Sequence, residues 1–207
     1  MVPFLRHPYV LWTLLALPSL LMLWAVLQGT TDSEGRATVE YLLHPTGEFA
    51  ARFMIVAMIA TPLRMWFPGG SFPRWLMRHR RHFGVAAFLY AALHASFYIA
   101  HKGSIQPMLE DFWKVGIWTG WLAMLIFIPL GLTSNDASVR ALGPRWKALQ
   151  RGVYLAAAIT LVHWIFVNNS LGAAMIHFGP LALLVTYRIW KSDFATRYAK
   201  VLPRPKY

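Results

Sequence analysis

The sequence predicts an all-α integral membrane protein: a six-transmembrane-helix bundle with both termini cytoplasmic. Three observations carry that prediction. The 207 residues are 57% hydrophobic, above the roughly 45–50% of a soluble domain, and the mean hydropathy is +0.44. Six apolar runs are each long enough to cross a bilayer, which takes about 20 mostly apolar residues. Lysine and arginine concentrate in alternate connections, as the positive-inside rule requires.

The six runs cover approximately 9–28, 48–67, 83–101, 113–132, 152–169 and 171–190. The first follows Arg6 and could mimic a signal peptide. It outruns a typical signal core, and no small-residue cleavage site follows, so it reads as a retained span. Asn168, Asn169, Ser170 and Gly172 mark a tight hairpin between the last two runs. Pro18, Pro129 and Pro180 fall inside spans, where neighbouring helices can re-satisfy the freed carbonyls. Gly116 and Gly120 form a GxxxG, a common close-packing device. No convincing internal repeat is visible. Residues 1–207 read as one transmembrane domain, with no room for a second folded unit.

Orientation follows from charge. The connection after the second run holds Arg64, Arg74, Arg78, Arg80 and Arg81, and the one after the fourth holds Arg140, Arg145, Lys147 and Arg151. The tail carries Arg188, Lys191, Arg197, Lys200, Arg204 and Lys206. The alternate connections hold Asp32, Glu34, Arg36 and Glu40, then Lys102, Glu110 and Asp111, then no charge. The net charge of +12 is thus a membrane-topology signal, and nucleic acid is not the expected partner. With no cysteine in the chain, disulfides, thiolate catalysis, iron–sulfur clusters and covalent c-type haem are excluded. No dinucleotide-binding, phosphate-loop, zinc-protease or serine-hydrolase motif occurs.

His94 and His163 are the candidate chemical residues. Each sits inside an uncharged apolar run, 12 residues beyond an inner marker, His82 and Arg151 respectively. That places both about 18 Å from the inner boundary, on spans running the same way. Intramembrane ionisable groups normally serve a pathway or a cofactor. Two at matched depth suggest axial ligands to one b-type haem iron. Alanines flank both, in AALHAS and YLAAAITLVHW, leaving room for a flat macrocycle. Interhelical hydrogen bonding without a cofactor is the plain alternative. His82 falls on the same helical face as His94 and would suit a second haem, but its partner position is occupied by Gln150. An interfacial place among Arg78, His79, Arg80 and Arg81 explains His82 equally well. His44 precedes the second span. Arg52 fits either a haem propionate or an ion pair with Glu48, four residues away on one face. His7, His79, His101 and His177 read as interfacial, the last two near the outer boundary.

Several stretches together resemble one family: HPTGEFAARF (44–53), ATPLR (60–64), RRHFGVAAFLYAALHASFY (80–98), TGWLAMLIFIPLGLTSND (119–136) and LGPRWKALQRGVYLAAAITLVHW (142–164). The family is that of the haem-binding membrane subunits of periplasmic protein-methionine-sulfoxide reductase systems, in the ferric-reductase-like transmembrane superfamily. The resemblance implies a multi-pass cytochrome b of the bacterial inner membrane. It would take electrons from quinol and pass them to a periplasmic molybdopterin subunit that repairs oxidised proteins. FMN is a further cofactor associated with the family. His94 and His163 match its intramembrane histidines, His44 matches the histidine of its outer H-x-T-G motif, and Arg80 and Arg81 match an inner arginine pair. Gln150 departs from a histidine found in some members, so one haem is expected and a second is left open. The alternatives are a transmembrane ferric reductase subunit and a haem-free structural membrane subunit.

Overall fold

The computed structural model describes residues 8–31, 35, 37–168 and 170–201. Ten α-helices form among them: α1 (Pro8–Leu27), α2 (Thr38–Tyr41), α3 (Leu43–Trp66), α4 (Ser71–Lys102), α5 (Ile105–Asp111), α6 (Val115–Leu132), α7 (Asp136–Leu142), α8 (Pro144–Gln150), α9 (Gly152–Asn168) and α10 (Leu171–Val201). The six long apolar helices α1, α3, α4, α6, α9 and α10 are the spans expected from hydropathy. Arg6, His7, Asp32, Glu34, Arg36, Asn169, Arg204 and Lys206 lie outside the described residues. So do the side chains of Arg197 and Lys200.

Several helices extend past the apolar runs. α3 starts at Leu43 rather than 48, so His44 stands in its first turn instead of ahead of the span. α4 starts at Ser71 rather than 83. Arg74, Arg78, Arg80 and Arg81 are therefore helical, and the connection shrinks to residues 67–70. The physical reason is local. Pro73 sits in the first turn, where its missing N–H is harmless, and the next strong terminator is Gly103, whose φ is +67°. Polar residues at an interface do not stop a helix. At 32 residues, α4 is about 48 Å long, well beyond a hydrocarbon core of about 30 Å. The connection after α6 is likewise helical. Asn135 caps α7 by accepting from the Ser138 N–H at 2.8 Å, and Gly143 (φ +51°) turns the chain into α8.

The bundle is two helical hairpins side by side. α3 packs along α4, α6 packs along α9, and α4 meets α6 between them. α10 covers α3, and α1 lies against α4. Alanine fills the seams: Ala51, Ala87, Ala156 and Ala174 are buried with Met54, Phe127 and Phe178. Lipid tails give helices no hydrophobic reason to associate, so small side chains that permit close van der Waals contact carry the packing. Pro18 interrupts α1, and Tyr90 of α4 fills the break. The Ser19 N–H donates to the Tyr90 hydroxyl at 2.8 Å, which donates to the Leu15 carbonyl at 3.0 Å. A hydroxyl thus replaces the missing backbone link.

Candidate cofactor site

His94 on α4 and His163 on α9 come together in the bundle, with ring centres 6.1 Å apart and ring planes at 80°. Each ring is fixed through Nδ1. His94 Nδ1–H donates to the Leu43 carbonyl at 3.0 Å, and His163 Nδ1–H donates to the Gly116 carbonyl at 2.5 Å. A carbonyl can only accept, so Nδ1 carries the proton in both and Nε2 keeps its lone pair. A hydrogen bond that fixes the tautomer and frees the opposite nitrogen is the usual outer-shell support of a metal-bound imidazole.

The two half-sites repeat one construction. A Cβ at Gly47 would meet the His94 ring at 3.2 Å, and one at Gly120 would meet the His163 ring at 2.8 Å. Each imidazole therefore lies on a glycine of the facing helix. The accepting carbonyl belongs to the residue four positions earlier, Leu43 or Gly116. A buried threonine precedes each glycine: Thr46 is 0% exposed and Thr119 is 3% exposed. Both bond back into their own helix, to Leu42 and Leu43 or to Val115 and Gly116. A Thr-Gly-x-x-Ala pattern, TGEFA and TGWLA, marks both first helices. The match is three identities in a window of five residues, too short to register as an internal repeat in the sequence.

A cavity of about 330 Å³ opens between the rings, within the range of small-molecule sites. Ala51, Ala91, Ala123, Met124 and Phe127 form its apolar part; His44, Glu48, Tyr98, His101, Lys102 and Asp111 contribute its polar wall. The residues fit a haem. Two imidazole nitrogens at about 2 Å on opposite sides of one metal put their ring centres about 6 Å apart. Among the described residues no group of three or more His, Cys, Asp or Glu is placed to hold a metal ion. A macrocycle supplies its own equatorial ligands and needs only two from the protein.

Three buried donors have no partner and belong to the cavity wall: Tyr98 Oη, Thr160 Oγ1 and Trp164 Nε1. Buried polar groups left unpaired are rare and costly. None of the three was singled out from sequence, because an aromatic or threonine on an apolar helix looks like core. His101 reaches the wall too.

Of the remaining candidates, His44 reaches the cavity wall and the others lie elsewhere. Arg52 bonds Glu48 at 2.8 Å and His177 Nε2 at 3.3 Å, and it is not among the cavity-lining residues. His44 also contacts Glu48, at 3.3 Å. His177 packs against Trp164 with ring centres 4.9 Å apart. His82 turns toward α1, its ring 5.0 Å from Trp12, with Nδ1 unpartnered. Gln150 instead donates to the Leu130 carbonyl at 3.0 Å and to Thr133 at 3.1 Å. Arg80 donates to Thr61 at 3.4 Å, while Arg81 pairs with Asp136 and lies over Trp146. The inner group is thus not gathered around one space. At the C-terminal end of α4, Lys102 and Lys114 bind Asp111 at 2.5 and 2.6 Å. Those hydrogen bonds push the Asp111 carboxyl down to about 2.

Fold and site together define a multi-pass helical membrane protein organised around two facing, backbone-anchored imidazoles. Residues 46–161 match the family described as ferric reductase like transmembrane component. The chain is 31% identical over 200 residues to a Brucella anthropi protein named protein-methionine-sulfoxide reductase heme-binding subunit MsrQ, covering 95% of this chain and 88% of that one. The MsrQ proteins of Brucella ovis and Brucella canis are each 31% identical over 198 residues, with 94% and 88% covered. The chain therefore belongs to the ferric-reductase-like transmembrane family and, within it, to the MsrQ heme-binding subunits.

Proposed function

We propose that the protein is a membrane cytochrome b of the bacterial inner membrane, a single domain over residues 1–207 with both termini cytoplasmic. It relays electrons from quinol to a periplasmic molybdopterin-containing methionine-sulfoxide reductase subunit. The supporting observation is the His94–His163 pair, 6.1 Å apart with both Nδ1 atoms anchored. A bound haem supplies one-electron ferric–ferrous chemistry, with its potential set by axial ligands, hydrogen bonding and burial. The protein's part is preorganisation. Leu43 and Gly116 carbonyls hold the imidazoles in the ligating tautomer, Gly47 and Gly120 let the rings lie against backbone, and the alanine seams keep water out.

One haem is expected here. The relatives' printed names support haem and a sulfoxide reductase system. Quinol, the molybdopterin partner, FMN and the inner-membrane orientation rest on the family resemblance and on the basic residues of α4, α7 and α8. The test is spectroscopic. The purified protein should give a reduced-minus-oxidised cytochrome b spectrum, and its reduced form should be reoxidised by a sulfoxide-reducing molybdenum subunit. Reoxidation by ferric chelates alone favours a metal reductase, and a chain without haem absorbance is a structural subunit.

A further inference from the structure

We propose that Tyr98 and Lys102, at the outer end of α4, bind the carboxylate groups of the macrocycle whose metal lies between His94 and His163. The proposal rests on the haem reading and adds the direction in which the cofactor faces and the residues that set it.

Residues 94, 98 and 102 are successive i, i+4 positions of one helix, so they form a single stripe rising about 6 Å per step. Along it stand a metal ligand, a hydroxyl and an ammonium group, and all three residues line the cavity. The inward wall, with Ala51, Ala123, Phe127 and the hydroxyl of Thr160, carries no charged group to meet an acid. An amphiphilic guest therefore enters with its acidic edge outward.

Tyr98 Oη is sealed from solvent and lacks a hydrogen-bond partner. An entering carboxylate supplies the missing acceptor. Lys102 Nζ lies 5.8 Å from the centre of the Tyr98 ring, so both donors serve one corner. Lys102 Nζ contacts Asp111 and, with three N–H donors, keeps others for a second acid. Glu110, a further acid near Lys102, accepts from Gln106 at 3.1 Å. The propionate role that sequence offered to Arg52 thus passes to α4, because the Arg52 guanidinium is held by Glu48 and His177 outside the cavity wall.

The experiment loads haem-free protein in detergent with iron protoporphyrin IX or with its dimethyl ester and reads the Soret band. The wild-type chain should bind the free acid about tenfold more tightly, the worth of one hydrogen bond to a charged group. The combined Tyr98→Phe and Lys102→Met variant should lose that preference while binding the ester as the wild type does. Equal binding of acid and ester by the wild type overturns the proposal. So does a preference that survives the double variant or vanishes in Arg52→Gln. If the double variant loads neither form, Lys102→Arg decides: the retained charge should retain the preference, and its loss there overturns the assignment. No Soret band from either compound in the wild type would instead refute the haem reading itself.

Discussion

On the proposed orientation, the bundle has an outer level at His94 and an inner level at His82, built from the same helices. At the outer level a cavity of about 330 Å³ separates two imidazoles. Twelve residues inward along α4 stands His82, and the cavity lined by Gly84, Gly131 and Gln150, which His82 does not line, is about 50 Å³. Phe88 lies over Gly131 so closely that a Cβ there would stand 2.4 Å from its ring. Both levels have glycine and alanine, and both have a histidine on α4. Only the outer one has a facing carbonyl that captures Nδ1 and turns the imidazole inward. His82 has no such carbonyl, and its ring settles against Trp12. A small-residue seam makes space, but a hydrogen bond on the far nitrogen readies an imidazole to ligate.

The strongest way to break this comparison is to remove ligands at each level. His94→Ala or His163→Ala should abolish the haem absorbance of the purified protein, whereas His82→Ala should leave it within about a tenth of wild type. Next comes an attempt to equip the inner level. Gln150→His should leave the haem-to-protein ratio at one, because Phe88 still closes the space. A ratio of two by haem extraction would show that the missing imidazole alone kept that level empty.

The glycine floors sharpen the comparison within the outer level. Gly120→Ala puts a Cβ 2.8 Å from the His163 ring, where something must shift, and Gly47→Ala puts one 3.2 Å from His94. Overpacking costs about 1–3 kcal/mol, set against about 1 kcal/mol gained in helix propensity. Gly120→Ala should therefore lower haem retention clearly, and Gly47→Ala only slightly. The smallest effect concerns Asp111. Its carboxyl is depressed by Lys102 and Lys114 to about 2, so the stabilisation is complete above the usual carboxylate value near 4 and is lost as pH falls through about 2. Thermal unfolding in detergent should show Asp111→Asn less stable than wild type at pH 7 and indistinguishable from it near pH 2.

The sequence disclosed the spans and the facing histidine pair because a bilayer leaves an unmistakable hydropathy record and makes a buried histidine conspicuous. It hid the helix ends, since Arg74 to Arg81 are as compatible with helix as with loop once they leave the hydrocarbon. It hid the Thr-Gly repeat, whose meaning is a carbonyl in space. It also hid where His82 points, because a helical face predicts a direction only to within the width of a neighbour. Trp12, from the far end of the chain, decides that direction. Tyr98 and Trp164 passed as core because an aromatic ring on a membrane helix is ordinary until its polar atom is found alone.

The division of the ligand pair has a consequence for biogenesis. His94 arrives with the first hairpin and His163 with the second, separated in translation by α5 to α8. Neither hairpin can retain a cofactor alone, so capture must wait until both have been inserted and have met. Binding would then add a tie to the contacts of α4 with α6 and of α10 with α3 that join the two hairpins. A chain starved of cofactor should accumulate as an inserted bundle less resistant to proteolysis in the connection between its hairpins.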